Sequence, residues 1–178
     1  GSVTRWREGN LKRLEKARKI FIPSEAAALI FRGHAAHLPI VVKAHPAPAD
    51  RFRIPSETLM PFNPSPDKVS IMGAIGDVKG FHRLKECVHD AALRGLPLFF
   101  DLLGFTQDDQ AFRDYENIRI QGAYDPDEAI ERILDSGATL ALFLSPAPET
   151  WSYTLSETLE AGLFPVGLDI GAIGQRIR

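Results

Sequence analysis

The sequence predicts an α/β protein in which a Rossmann-like parallel sheet carries helices on both faces. Short apolar segments alternate with helical segments, as in right-handed βαβ units. The strand candidates, such as 98–103 and 139–144, are continuous apolar runs, which is typical of strands covered on both sides. In such open sheets ligands bind beyond the carboxyl ends of the strands, so the loops after the strands are where a site is expected.

The first part of the chain, 1–44, predicts two helices and two strands. The helices are expected at 4–19 and 25–32, the strands at 19–23 and 39–43. Ser24 is a suitable N-cap for the second helix and Gly33 a suitable end. The first helix is rich in arginine and lysine. A solvated helix face accounts for this charge, and contact with anionic lipid or an anionic substrate is the alternative.

A proline-rich stretch, 45–66, separates this part from the rest. It contains Pro46, Pro48, Pro55, Pro61, Pro64 and Pro66. Because proline is poorly tolerated in helices and central strands, the stretch is predicted to be a semi-extended linker. We therefore expect a domain boundary here, between 1–44 and a second domain at 67–178.

The second domain predicts a regular succession of strands and helices. Strands are expected at 68–73, 98–103, 117–121, 139–144 and 164–169. Helices are expected at 79–94, 106–115, from 125 to about 136, after 149, and from about 171. Asp125 followed by Pro126 is a strong helix start, since aspartate caps well and proline suits the first helical position.

The totals exclude several classes of protein. The net charge of −2 does not point to nucleic acid. Cys87 is the single cysteine, so no internal disulfide can form and a reducing compartment is expected. No apolar run is long enough to span a bilayer. The histidines lack metal-ligand spacing, and no metal is expected. We expect a cytoplasmic location, with peripheral contact at the inner membrane face as the alternative for a full-length protein.

The loop after the first strand of the second domain, 73–80, is loosened by Gly73, Gly76 and Gly80 and carries Lys79. It matches neither the P-loop nor the dinucleotide fingerprint. Glycines let a ligand approach the backbone, and an ammonium group can neutralise a phosphate. Phosphate binding and an ordinary strand–helix turn both remain open on this pattern.

Two glutamates bracket a helix start after the strand 139–144. Seven residues separate Glu149 from Glu157. Helix N-termini favour anions, so carboxylates here are expected to serve another purpose, such as accepting hydrogen bonds from sugar hydroxyls. The structural alternatives are a capping box between Thr154 and Glu157 and a solvated loop acid at Glu149.

These residues resemble a known family. Residues 145–166, with their E-x7-E spacing and Ala-Gly-x-x-Pro-Val end, are similar to the donor-binding C-terminal domain of retaining GT-B glycosyltransferases of family 4, the glycosyl transferases group 1. The turn 169–172 and the loop 73–80 resemble the family's next turn and its glycine-lysine loop. Residues 1–44 more loosely resemble the end of the family's N-terminal domain, so the resemblance implies that they are the remnant of an N-terminal, acceptor-side domain and that 67–178 is the donor-binding domain.

The resemblance implies a role for each matched position. Lys79 would contact the diphosphate of a nucleotide sugar, Glu157 the ribose hydroxyls, and Glu149, the candidate catalytic residue, the donor sugar or its phosphate. The backbone at Thr150 and Trp151 would cradle the diphosphate. The full set of expected donor-binding residues is Gly73, Gly76, Lys79, Tyr124, Glu149, Thr150, Trp151 and Glu157.

The sequence departs from the family in two ways. Ala74 stands where the family usually has an arginine that pairs with the lysine on the diphosphate. Most of the N-terminal, acceptor-binding domain and the final helices that cross back have no counterpart here. We therefore expect a piece of a longer enzyme that, by itself, binds donor nucleotide weakly and transfers nothing.

The implied activity is transfer of a sugar from a nucleoside diphosphate sugar to an unknown acceptor, with retention at the anomeric carbon. A GT-B-shaped nucleotide-sugar epimerase is one alternative, which would need acid and base residues from elsewhere. A non-catalytic flavodoxin-like signalling module is the other. A phosphate-accepting receiver needs acids at the end of its first strand, and 72–74 supplies none.

Overall fold

The computed structural model describes residues 2–45 and 65–178, which form two parallel sheets with their helices. The first part contains α1 (Val3–Leu14), β1 (Ile20–Ile22), α2 (Glu25–Ala35) and β2 (Ile40–Val42). The strands β1 and β2 pair in parallel, and a small apolar core of Ile22, Ala27 and Ala28 joins them to α2. Ser24 caps α2, since its hydroxyl accepts from the Ala27 N–H at 3.2 Å.

The second part alternates strands with helices. Its strands are β3 (Ser65–Ile75), β4 (Phe99–Thr106), β5 (Ile118–Ile120), β6 (Ala138–Phe143) and β7 (Phe164–Gly167). Its helices are α3 (Phe81–Leu93), α4 (Ala129–Ser136), α5 (Tyr153–Glu160) and α6 (Gly171–Ile177). The sheet order is β5-β4-β3-β6-β7, with every paired strand parallel. The predicted doubly covered parallel sheet is confirmed.

Helices cover both faces of this sheet because its strands are apolar on both sides. On one face α3 packs over β3, β4 and β5 through Phe81, Leu84 and Val88. On the other face α4, α5 and α6 contribute Ile133, Leu155 and Ile173 to a second core. With cores on both sides, the polar loops at the strand ends are left as the place for a ligand.

Several predicted boundaries were wrong. The helix α1 ends at Leu14, short of the predicted end at 19, and α2 continues through Gly33 to Ala35. Glycine destabilises a helix by only about 1 kcal/mol relative to alanine, and the alanine and leucine residues of α2 are strong helix formers that offset this cost. The predicted helix 106–115 is a single 3-10 turn, Asp109–Phe112, because β4 runs on to Thr106.

The proline-rich stretch falls mainly outside the described residues, which resume at Ser65. Ser65 and Pro66 belong to β3, although they were assigned to the linker. The division into domains at this stretch stays a prediction. The two described parts touch: the Gln175 side chain on α6 accepts a hydrogen bond from the Ala26 N–H of α2 at 2.8 Å.

Among the described residues, no helix combines the length and apolar character needed to cross a bilayer.

Candidate functional site

The strand order reverses between β3 and β6, which makes their carboxyl ends the switch point of the sheet. Chain connections leave β3 toward one side and β6 toward the other, so a crevice opens between the two following loops. The loop after β3 carries Lys79, and the loop after β6 carries Glu149. Two side chains that lie 70 residues apart in sequence therefore meet at one edge of the sheet.

The loop after β3 is held in place by a residue that follows β4. A short 3-10 turn, Asp77–Lys79, follows Gly76, whose carbonyl accepts from the N–H groups of Lys79 and Phe81. The Gln107 side chain accepts from the Asp77 N–H at 2.9 Å and donates to the Asp77 carboxylate at 2.7 Å. This double contact fixes the turn that presents Lys79.

The loops after β3 and β6 also pack directly against each other. The Ser145 hydroxyl lies 2.8 Å from the Val78 carbonyl and 2.9 Å from the Ala147 carbonyl, so its single proton can serve either acceptor. Gly80 has φ +92°, and a Cβ there would lie 2.7 Å from the backbone carbon of Leu144. Only glycine allows this approach, so the glycine of the 73–80 loop sets the spacing between the two loops.

Lys79 and Glu149 form an ion pair across the switch point. The Lys79 Nζ lies 3.4 Å from Glu149 Oε1, with the lysine side chain 40% exposed and the glutamate side chain 19% exposed. The Glu149 backbone is anchored as well, because its carbonyl accepts from the Ala172 N–H at 2.9 Å. Gly171, in the left-handed region at φ +61°, lets α6 begin against the Glu149 backbone.

The start of α5 differs from the predicted capping box. The N-cap is Ser152, whose hydroxyl accepts from the Leu155 N–H at 3.4 Å. Thr154 lies inside the helix, so Glu157 is five residues past the cap and cannot complete a capping box with it. That alternative was wrong. The helix also begins after Thr150 and Trp151, which lie in the turn before it.

Ser152 adopts φ 78° and is the sole non-glycine residue with positive φ in the described part of the chain. A serine in this region costs on the order of 1–3 kcal/mol and persists only where its surroundings enforce it. Such strained residues concentrate at functional sites, and this one immediately precedes the helix start next to Glu149.

Glu157 is the least satisfied polar group at this edge. Its Oε2 atom is buried and has no hydrogen-bond partner among the described residues. Burial raises the pKa of Glu157 above its ordinary value. The pKa of Tyr124 is raised by burial and, to a smaller extent, by the charge of Glu157, which therefore lies nearby. A buried carboxylate oxygen without a donor is costly unless a ligand supplies one.

The Glu157→Gln variant is expected to be more stable than the wild-type protein at neutral pH. Because burial raises the pKa of Glu157, the folded state favours the neutral acid, and the charged form costs stability as the pH rises. The gain should be on the order of 1 kcal/mol, or about 3 °C in Tm for a chain of this size.

The pH dependence checks this explanation. Below pH 4.5, the ordinary value for glutamate, both proteins are neutral at this position and their Tm values should converge. The difference should grow as the pH rises above 4.5 and should level off once the pH passes the folded-state pKa of Glu157. A difference that is constant between pH 4 and pH 8, measured by thermal unfolding, would contradict an origin in the carboxylate charge.

Three residues that were not predicted as part of the site support this edge. Arg176 donates to the carbonyls of Trp151 and Ser152, Gln107 holds the Lys79 turn, and the Ser24 hydroxyl donates to the Thr150 carbonyl at 2.9 Å. Ser24 was predicted only as a helix cap. No local pattern marks these contacts, because each partner lies at least 24 residues away in sequence.

The structure brings the predicted residues together in two groups. Lys79 and Glu149 pair directly, and Tyr124 lies near enough to Glu157 for the charge of Glu157 to raise the pKa of the tyrosine. Gly73, at φ +101°, lies next to the Thr154 side chain at the start of α5. The contacts of these residues with a donor stay predictions, as do those of Gly76, Thr150 and Trp151. Within the two described segments no group of three or more histidine, cysteine, aspartate or glutamate residues could hold a metal ion.

Comparisons with known proteins show the fold. No protein-family model matches the sequence, and no match is found among curated proteins. Solved structures do match. TarM from S. aureus, in a complex that includes UDP, superposes with a TM-score of 0.69 at 13% identity over 93% of this chain and 33% of TarM. HepE from Anabaena, with UDP and glucose, gives 0.67 at 18% identity over 100% of this chain and 51% of HepE.

A third similar structure is the pneumococcal O-GlcNAc transferase GtfA with UDP and GlcNAc. Its TM-score is 0.65 at 16% identity over 93% of this chain and 32% of GtfA. The sheet and helices of this chain thus match the Rossmann-like half of a GT-B glycosyltransferase fold. The chain spans about a third of TarM and GtfA and about half of HepE.

Proposed function

We propose that this chain is the donor-binding part of a retaining glycosyltransferase of family 4 and binds a nucleoside diphosphate sugar at the switch point between β3 and β6. The observation that carries the proposal is the buried Glu157 Oε2 atom, which has no donor among the described residues. A carboxylate oxygen can accept hydrogen bonds from hydroxyl groups, and a ribose presents two hydroxyl groups side by side.

The diphosphate would lie between Lys79 and the start of α5. Lys79 supplies a positive charge at 40% exposure, and the first turn of α5 supplies free N–H groups. Because Lys79 already pairs with Glu149, a diphosphate would compete with that carboxylate for the ammonium group. Lys79 and the helix start would have to compensate for Ala74, which is exposed and supplies no charge.

The donor sugar would then lie beside Glu149, the proposed catalytic residue. Its carboxylate stands at the crevice, next to the position proposed for the diphosphate, and its backbone is fixed from α6. Transfer would depend on electrostatic stabilisation of the leaving diphosphate by Lys79 and the N–H groups, with no metal ion. Retention at the anomeric carbon is proposed from the resemblance to family 4.

The acceptor would be bound by other parts of a full-length enzyme, and its class is open. The basic face of α1 offers positive charge for an anionic acceptor or for anionic lipid at the inner membrane face. These roles belong to the whole enzyme, since the similar structures are two to three times the length of this chain. We propose that this chain alone binds nucleotide and transfers no sugar.

Ligand titration tests the role of Glu157 directly. UDP, ADP, GDP and UDP-glucose are titrated by calorimetry, and the best nucleotide is compared with its 2′,3′-dideoxy analogue. In the wild-type protein the loss of both hydroxyls should weaken binding about 10- to 30-fold, as expected for hydrogen bonds to a charged acceptor. In Glu157→Gln the two ligands should bind within about 3-fold of each other.

Glu160→Gln is the matched control, because Glu160 is an exposed acid on the same helix. It should keep the full preference for the ribose hydroxyls. The proposed function fails if none of the nucleotides binds the wild-type chain. The role of Glu157 fails if Glu157→Gln discriminates between the two ligands as strongly as Glu160→Gln.

A further inference from the structure

The guanidinium group of Arg176 is the centre of a contact network behind the start of α5. It donates through Nη1 to the carbonyls of Trp151, at 3.1 Å, and Ser152, at 2.8 Å. Its Nη2 donates to the Ser156 hydroxyl at 2.8 Å. The guanidinium carbon also stacks over the Trp151 ring, 4.0 Å from the ring centre. One side chain on α6 thus holds two successive peptide groups and a residue in the first turn of α5.

These two peptide groups belong to the strained turn before the helix. Ser152 has φ 78°, which serine adopts only when its surroundings enforce it. Arg176 binds the carbonyl on each side of that residue's α-carbon, so it fixes both neighbouring peptide planes. The Ser24 hydroxyl holds the preceding carbonyl, that of Thr150, from the other part of the chain. The whole turn is therefore fastened through its carbonyl groups.

Fastening the carbonyls has a consequence for the N–H groups. In a trans peptide the C=O of one residue and the N–H of the next point in opposite directions. With the carbonyls of Trp151 and Ser152 directed to Arg176, the N–H groups of Ser152 and Tyr153 are directed away from it. N–H groups set in advance at a helix start bind an anion without paying for their ordering at the moment of binding.

We propose that Arg176 is a positioning residue that holds the turn 150–152 so that these N–H groups are ready for the diphosphate. The inference rests on the proposed function. Arg176 itself acts through the turn, because three of its five N–H donors are bonded to acceptors in the turn and the first turn of α5. The cation that meets the phosphates remains Lys79, on the opposite loop.

The test compares a ligand that has phosphates with one that lacks them. In Arg176→Met, UDP should bind about 10-fold more weakly, while uridine, followed by ligand-observed NMR, should bind within 2-fold of its wild-type affinity. Arg176→Lys should give an intermediate UDP affinity, since an ammonium group can reach a carbonyl but cannot hold both peptides and stack. Arg178→Met is the control, because Arg178 pairs with the exposed Asp169 at 2.9 Å; it should bind both ligands normally.

Trp151 fluorescence gives a second readout. The chain has two tryptophans, so the Trp6→Phe background, which removes an exposed residue of α1, leaves Trp151 alone. Its emission should change in Arg176→Met and not in Arg178→Met, because only the former loses the stacked guanidinium. Thermal unfolding confirms that each variant is folded, and Arg176→Lys replaces Arg176→Met if the latter is not.

The outcomes separate this inference from the proposed function. If the wild-type chain binds none of UDP, ADP, GDP and UDP-glucose, the proposed function fails and the inference fails with it. If the chain prefers ADP or GDP, that nucleotide and its nucleoside replace UDP and uridine in the comparison. If the wild-type chain binds UDP and Arg176→Met binds it equally well, the inference alone is wrong. The inference is also wrong if Arg176→Met loses affinity for UDP and for uridine by the same factor, since that result indicates a general structural role.

Discussion

Replacing Lys79 with methionine is expected to weaken UDP binding on the order of 100-fold. A lysine that contacts a diphosphate contributes about 1.5–3 kcal/mol through charge-assisted hydrogen bonds, which corresponds to roughly 10- to 150-fold in affinity. The Gln107 contacts and the tight approach at Gly80 fix the turn that carries Lys79, so the ammonium group is presented from a defined position. Calorimetric titration of the purified chain measures the effect.

The salt dependence of binding gives this prediction a specific signature. Ions screen the contact between ammonium and phosphate, so the wild-type affinity should fall as salt rises from 50 to 500 mM and the difference from Lys79→Met should narrow. Lys85→Met is the matched control, because Lys85 is an exposed lysine on α3, six residues after Lys79 in the sequence. If Lys79→Met and Lys85→Met bind UDP equally well, Lys79 is not the phosphate contact.

Replacing Gly80 with alanine should cost about 2–6 kcal/mol of unfolding free energy. At φ +92° an alanine is strained, at about 1–3 kcal/mol, and its Cβ would lie 2.7 Å from the Leu144 backbone carbon. Overpacking of this kind adds about 1–3 kcal/mol, because backbone cannot move aside as a side chain can. The free energy of unfolding of a whole domain is only about 5–15 kcal/mol, so this variant should lose a large part of its stability.

Gly33→Ala is the control for this substitution. Gly33 lies in α2, and a Cβ there would meet no atom within 4 Å. Alanine should therefore stabilise the protein by about 0.5–1 kcal/mol, through its better helix propensity. Urea unfolding followed by circular dichroism compares both variants with the wild type. A Gly80→Ala protein within 1 kcal/mol of the wild type would show that the two loops are not held as close as described.

Much of the fold could be predicted because local patterns carry it. Continuous apolar runs with glycine ends predicted the parallel strands of the larger sheet, and Ser24 was correctly predicted as a helix cap. Asp125 is also a cap, but of the 3-10 turn Pro126–Glu128, and the predicted helix becomes α-helical only at Ala129. Predictions were wrong where pairing decided the outcome. A strand continues as long as a neighbour offers hydrogen bonds, so β4 extended to Thr106 into a predicted helix, and β3 extended back to Ser65.

The candidate site was predicted only in part, for a related reason. Lys79, Glu149 and Glu157 could be singled out, since their spacing relative to strand ends and glycines is visible in the sequence. The capping-box alternative could not be decided from that spacing. It depended on where α5 begins, and the strained turn at Ser152 moves the cap two residues before Thr154. The contacts that hold this turn come from Arg176 and Ser24, which lie far away in sequence.

The sequence by itself determined the alternation of strands and helices, the covering of the sheet on both faces, and the kinds of residue available at its carboxyl edge. These follow from apolar periodicity and helix signals, which act over a few residues. Tertiary structure decided that β3 and β6 are neighbours and that Lys79 therefore faces Glu149. It also left Glu157 with a buried oxygen that finds no donor in the part of the chain that the structure describes. Burial and pairing depend on which distant segments meet, and no local pattern specifies that.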